Sequence, residues 1–148
     1  LRFPGRLIAV RSRLREKTSM EHHRHPVQIY YEDTDLSGVV YHANYLKFFE
    51  RAREHLIGPT ELARLYNEDG IGFVVYKCEL TFKQGARLGD LLEIRTRVEQ
   101  TSPYRAIFHQ EVWKEGVDKP YVVGEVQLVC VDEAQNMVRM PELNLAVG

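Results

Sequence analysis

The stretch from Tyr30 to Tyr45 crowds three carboxylates (Glu32, Asp33, Asp35), one histidine (His42) and four tyrosines around a single glycine, Gly38. It then turns abruptly into the helical pattern Leu46-Lys-Phe-Phe-Glu-Arg. Acids just ahead of a helix are ordinary capping groups, because the first turn presents free amides and a partial positive charge. The same juxtaposition can also do chemistry. A carboxylate at Asp35 can deprotonate a water or attack directly, while amides near His42 receive the charge that develops on a carbonyl oxygen. Gly38 permits the tight backbone path that brings the two together. The chemistry this stretch suits is hydrolysis of an activated carbonyl. If the extended conformation persists, Tyr31, Asp33 and Asp35 lie on one side of the chain, with Glu32 and Thr34 on the other.

Other catalytic patterns are missing: the chain has no G-x-S-x-G elbow, no H-E-x-x-H, no P-loop and no G-x-G-x-x-G. The run His22-His-Arg-His25 carries metal donors but reads as a solvated terminus or tag remnant. Asp33 and Asp35 have no further acids or histidines at ligand spacing, so no metal is expected. Glu32 and Asp33 read as solvated or capping acids.

These residues must be positioned by the elements around them. Val27, Ile29 and Tyr31 alternate with Gln28, Tyr30 and Glu32, which predicts a half-buried strand from Pro26 to Glu32. Tyr45, Phe48, Phe49, Ala52 and Leu56 recur at helical spacing, predicting an amphipathic helix over about 43–57 that Gly58-Pro59 stops. Asn44 is placed to cap it. Thr60 caps a second, short helix from Glu61 to Asn67, and Asp69-Gly70 makes a turn. The period then changes to two. Val74, Tyr76, Cys78, Leu80 and Phe82 share one face of a strand, and Leu92 to Val98, Arg105 to Lys114 and Tyr121 to Asp132 continue the theme. Their connectors are short and turn-like, which favours antiparallel neighbours. The plan is α+β, one apolar helix covered by one antiparallel sheet.

Composition bounds the rest. The chain of 148 residues with 44% hydrophobic content reads as one globular domain. No apolar run approaches the roughly 20 residues that span a bilayer. Residues 1–19 carry six cations (Arg2, Arg6, Arg11, Arg13, Arg15, Lys17) against Glu16, leaving a formal −6 on the remainder. Such a leader reads as an upstream or vector-derived extension ahead of a single domain over 20–148. No nucleic-acid partner is expected of the acidic body. Cys78 and Cys130 have no C-x-x-C partner and read as buried thiols of a reducing cytoplasm.

Residues 30–53, Tyr-Tyr-Glu-Asp-Thr-Asp-x-x-Gly-Val-Val-Tyr-His-Ala-Asn-Tyr-Leu-x-Phe-Phe-Glu-Arg-Ala-Arg, resemble the signature of the YbgC-type acyl-CoA thioesterases. These belong to the 4-hydroxybenzoyl-CoA thioesterase branch of the hotdog-fold proteins. The resemblance implies a hotdog fold, with the sheet wrapped round one long central helix. It implies a homodimer whose sheets join, with two sites at the interface, and pairing of dimers into a homotetramer. It makes Asp35 the catalytic carboxylate and the backbone at His42 the oxyanion donor. Tyr31 and His42 become pocket side chains, and Val39, Tyr41 and Asn44 line the approach of the substrate. Acyl-CoA is the substrate, with no cofactor beyond the coenzyme A it carries. Lys83, Arg87 and Arg105, at strand ends or turns, are the candidate cations for its phosphates. The hydroxybenzoyl enzyme's basic cluster has no counterpart in Thr101-Ser102-Pro103. The alternative reading is a non-catalytic or weakly catalytic partner of acyl carrier protein or of the Tol-Pal cell-envelope system. The hydratases and dehydratases of this fold resemble a different motif, which His42 matches poorly.

Overall fold

The helical repeat of apolar residues after Asn44 requires a surface to bury them, and the alternating strands that follow provide it. A computed structural model describes residues 6–9 and 22–147, with side-chain placement for 22–143. The strands are β1 (Arg6–Ala9), β2 (His23–Gln28), β3 (Gly72–Phe82), β4 (Leu91–Ser102), β5 (Arg105–Lys114), β6 (Val122–Val131), β7 (Met137–Val138) and β8 (Asn144–Val147). The helices are α1 (Asn44–Ile57) and α2 (Pro59–Asp69), preceded by a 3-10 turn at Tyr31–Asp33. The main sheet is antiparallel in the order β2-β4-β5-β6-β3, with β7 added to β6, while β1 and β8 form a separate ribbon. Apart from Arg6–Ala9, the basic extension lies outside the described residues.

α1 lies across the concave face of the sheet. Its Tyr45, Phe48, Phe49, Ala52 and Leu56 are buried, as the periodicity predicts, against Leu92, Ile94, Phe108, Val112, Val122 and Val126. Each large apolar side chain so buried contributes roughly 1.5–3 kcal/mol relative to exposure. One cross-sheet row is unusual: His23, Thr96, Gln110, Gly124 and Leu80 stand side by side on five neighbouring strands. A Cβ on Gly124 would fall 2.7 Å from Phe49 Cε2, so a glycine is what lets the helix approach the sheet here.

The structure departs from the sequence pattern in six places. The first strand ends at Gln28 rather than Glu32, because Asp33 Oδ2 accepts from the Tyr30 amide at 2.8 Å and the Thr34 hydroxyl donates to the Tyr31 carbonyl at 2.7 Å. Such local side-chain bonds compete with the extended ladder and close a 3-10 turn. Second, α2 begins at Pro59, so Thr60 lies inside the helix and Gly58, at φ 104°, occupies the cap position. Third, β3 and β4 are not neighbours: β3 pairs with β6 and β4 with β2, so the connector of residues 83–90 crosses the end of the sheet. It is pinned there by Ile29 N–H to the Asp90 carbonyl (2.9 Å) and Val40 N–H to the Ala86 carbonyl (2.8 Å).

Fourth, a β-bulge at Tyr76 shifts the register between Val75 and Lys77. Val75, Cys78, Leu80 and Phe82 then share the helix-facing side, and Val74 turns to the other. Fifth, Cys78 is exposed on this edge strand and only Cys130 is buried. Sixth, the histidine run is not a solvated terminus. His23 is buried opposite Thr96, and the His25 ring stacks on His55 of α1 with centroids 4.5 Å apart.

Candidate active site

The crowded loop is held between β2 and α1 by its own backbone. Thr34 bridges to Val40, and the Asp35 amide donates to the Val39 carbonyl at 2.9 Å. Gly38, at φ 79°, closes the turn between them and donates to the Asp35 carbonyl at 3.0 Å. Asp35 Oδ1 accepts from the Ser37 amide at 2.8 Å, which fixes one carboxylate oxygen on an exposed side chain. Asn44 does not cap through its side chain. Its Nδ2 donates instead to the Asp33 carbonyl at 3.0 Å, tying the first turn of α1 to the loop.

The crossing connector supplies the opposite wall. A cavity of about 290 Å³ opens between them, lined by Asp35, Val39, His42, Tyr45, Phe82 and Lys83, with Val40, Gln84 and Gly85 filling the gaps. A Cβ on Gly85 would meet Val39 Cγ1 at 2.8 Å, so the loop and connector touch only because that position is glycine. The His42 ring stands edge-on to Phe82 at 6.0 Å and against Tyr41 at 4.6 Å. The buried Tyr45 hydroxyl accepts from the Ala86 amide at 3.4 Å, and burial raises its pKa, so it stays a neutral phenol. Among the described residues no group accepts from the backbone N–H of His42 or of Ala43, the two that precede α1. An acceptor-free amide pair at a helix start is what a developing oxyanion requires.

The structure thus brings together Asp35, Val39, His42 and Lys83 of the residues named from sequence. Arg87 stands beside them, its Nη1 3.9 Å from where a Cβ on Gly38 would lie. Tyr41 contacts the His42 ring without lining the cavity, and Asn44 holds the loop. Tyr31 sits on the 3-10 turn and is 81% exposed, outside the cavity wall, so the shared side inferred for Tyr31 and Asp35 does not exist. Arg105 is remote in the same chain. It pairs with Val129 and stacks over Tyr76 at 4.6 Å, while Phe82 pairs with Val122. Seven residues of β6 separate the two levels, about 23 Å at ~3.3 Å per residue. Pattern reading missed Val40, Tyr45, Phe82, Gln84 and Gly85 as wall residues. Tyr45 and Phe82 looked like plain core, and nothing local announces that the connector crosses the sheet.

Residues 30–146 match the family model of the thioesterase-like superfamily. The chain belongs to that superfamily. Within it, the acyl-CoA thioester hydrolase YbgC of Escherichia coli O6:H1 is 37% identical over 110 residues, 74% of this chain and 81% of that protein. The acyl-CoA thioesterase YbgC of Haemophilus influenzae is 37% identical over 109 residues, 72% of this chain and 79% of that protein. Among solved structures, a probable thioesterase from Bartonella henselae superposes with a TM-score of 0.75 at 32% identity, covering 81% of this chain and 99% of that one. The fold is therefore the thioesterase hotdog, and the chain is a YbgC-like enzyme of the thioester-hydrolase class. In this thioesterase, no group of three or more His, Cys, Asp or Glu among the described residues could hold a metal ion. No helix among them is long and apolar enough to cross a membrane.

Proposed function

We propose that this thioesterase hydrolyses acyl-CoA to a carboxylic acid and free coenzyme A, with Asp35 as its general base or nucleophile. What supports the reading is that Asp35 and His42, whose backbone amide meets no acceptor among the described residues, line one cavity. In the base route, a water between Asp35 and the thioester gives its proton to the carboxylate as its oxygen attacks the carbonyl carbon. The oxyanion takes the His42 or Ala43 amide, and collapse expels the coenzyme A thiolate, which is then protonated. In the nucleophile route the carboxylate attacks first and water hydrolyses the resulting anhydride. Neither route calls on a cofactor. Lys83 on the cavity wall and Arg87 near Gly38 are the cations this reading assigns to the coenzyme A phosphates.

The reading extends to assembly. β3 is an open sheet edge on which Val74, Val75, Tyr76 and Phe82 are exposed, a surface that soluble proteins cover. Antiparallel pairing of two β3 edges would continue the sheet into a homodimer and set the Gly72 end of one strand beside the Phe82 end of the other. Arg105 would then reach a cavity only from the second copy. Pairing of dimers into a tetramer and a cytoplasmic location complete the reading. The test is thiol release from short, medium, long and aromatic acyl-CoAs, with the protein's own thiols subtracted. Asp35→Asn should lose about 10²–10⁴-fold in kcat/KM. Undiminished turnover in that variant removes Asp35 from the chemistry. No turnover by wild type on any thioester turns the reading toward a binding role with acyl carrier protein or Tol-Pal components.

A further inference from the structure

Helix-facing residues of the inner strands are sealed: Ile94, Phe108 and Val126 on β4, β5 and β6 are no more than 1% exposed. On β3 the same side is open. Val75 and Phe82 pair with the inward Leu128 and Val122 of β6, yet they are 47% and 49% exposed. Phe73, opposite buried Cys130, is partly buried on that side. β3 ends the sheet here, so a cover for these residues comes from outside the chain, and an open edge with an apolar inner side fits a second copy of itself.

The bulge at Tyr76 decides how two such edges pair. Before it the inward residues are Phe73 and Val75, at odd positions; after it they are Cys78, Leu80 and Phe82, at even ones. In an antiparallel ladder, residues directly opposite each other point to the same face. A strand without a bulge keeps one parity throughout and meets its two-fold copy like with like. Here odd must meet even, so the half before the bulge pairs with the half after it in the other copy, and the ladder is interrupted only at the dyad, where the two bulges meet. The full-length register of this kind sets Phe73 opposite Phe82, Val74 opposite Thr81 and Val75 opposite Leu80 of the second copy. A slip of two residues either way keeps the faces matched but leaves one phenylalanine of the pair beyond the end of the facing strand.

That register sets two cavities side by side. Phe82 lines the cavity of Asp35 and His42, and Phe73, with Leu62, Tyr66 and Val75, forms the apolar wall of another, of about 240 Å³, between α1, α2 and β3. Opposite Cα atoms in an antiparallel pair are about 4.5–5.5 Å apart, which brings the Phe73 and Phe82 rings of the two copies within contact. At about 290 and 240 Å³, each cavity alone falls below the roughly 300–1,000 Å³ of ligand pockets, and the two joined fall within it. We propose that Phe73 of the second copy is the acyl-specificity residue of each site, a gate through which the apolar body of the acyl group passes from the cavity of Asp35 into the cavity of the second copy. The proposal rests on the thioesterase reading and adds to it the register and the residue that measure the acyl chain.

Register is tested without reference to turnover. In a Cys78→Ser background, Val74→Cys with Thr81→Cys should crosslink into a covalent dimer under mild oxidation, whereas Val74→Cys with Glu79→Cys should crosslink no more than Val74→Cys alone. Preference for the Glu79 pair, or crosslinking of neither, overturns the register and the proposal with it. Specificity is read as thiol release from butyryl-CoA and octanoyl-CoA. Phe73→Trp should lower kcat/KM on octanoyl-CoA roughly tenfold to a hundredfold while leaving butyryl-CoA within about twofold. If Phe73→Trp does not fold, Phe73→Leu takes its place and should shift the preference toward longer chains. An unchanged preference overturns the proposal, as does a wild type that turns over butyryl-CoA and not octanoyl-CoA. Co-expression of differently tagged Phe73→Trp and Asp35→Asn chains decides which copy supplies the gate. In the mixed dimer the site that keeps Asp35 faces an unaltered Phe73, so octanoyl-CoA turnover should return to roughly half that of wild type. No recovery shows Phe73 acting within its own chain and overturns the proposal. If Asp35→Asn is itself active, the role of Asp35 falls, and the crosslink and the Phe73 variants carry the test. A wild type that turns over neither thioester overturns the thioesterase reading and the gate together, whereas a failed crosslink or mixed dimer leaves that reading standing.

Discussion

Acidification should destabilise this fold through one buried imidazole, His23. Burial, with His25 and His55 adding repulsion, lowers the His23 pKa from an ordinary 6.5 to about 4. His25 is pulled down as well, by burial first and then by His55 and Arg51. In the unfolded chain His23 titrates near 6.5. The unfolded state therefore binds more protons between the two values, so stability is fully present above pH 6.5 and is lost as the pH falls toward 4. A drop from 6.5 to about 4 corresponds to about 3 kcal/mol in full, of which about 2.5 kcal/mol is lost between pH 7 and pH 4.5. The geometry agrees. His23 is 7% exposed, its Nδ1 has no partner, and its cross-sheet row leads through Thr96 to Gln110, which holds the Arg53 cation.

The assay is urea unfolding of wild type and His23→Leu at several pH values from 7.5 to 4.5. At neutral pH the variant should equal or exceed wild type, because an unsatisfied buried nitrogen is removed. Its slope between pH 7 and 4.5 should be shallower by about 2.5 kcal/mol. Parallel stability profiles for the two proteins would refute the reasoning, and would show that His23 finds a proton acceptor or a water when it charges.

Gly124→Ala should cost about 1–3 kcal/mol, because its Cβ would meet Phe49 Cε2 at 2.7 Å and Leu80 Cγ at 3.2 Å; denaturant midpoints check this. Gly85→Ala, whose Cβ would fall 2.8 Å from Val39 Cγ1, should lower kcat/KM more than stability, since the atom in the way belongs to the loop that carries Asp35. Asn44→Ala should lose about 1 kcal/mol along with its bond to the Asp33 carbonyl, measured by thermal unfolding. Native thiol labelling read by mass spectrometry should modify exposed Cys78 and spare Cys130, whose pKa burial pushes up to about 12. Labelling of Cys78 that slows as protein concentration rises would report pairing along β3.

What could be read from the chain divides along a physical line. The face of α1 and the alternation of β4, β5 and β6 follow from periods of 3.6 and 2, which local sequence carries in full. Asp35 and His42 could be singled out because a carboxylate, a glycine turn and a helix start within eight residues are themselves a local arrangement. The rest depends on contacts distant in sequence. Whether Pro26 to Glu32 stays extended throughout is decided by Asp33 and Thr34 competing for backbone groups, and a hydrophobic pattern is blind to that competition. The connector from Lys83 to Asp90 looks like a hairpin turn. It becomes a wall of the cavity beside Asp35 because β3 pairs with β6 and not with β4. That one topological fact puts Lys83 beside Asp35 and leaves Arg105 at the other end of the sheet, although both read as equivalent cations at strand ends. The glycines record the same fact in reverse. Gly85 and Gly124 are small where Val39 and Phe49 arrive from elsewhere in the chain, so their meaning appears only once the sheet order is known.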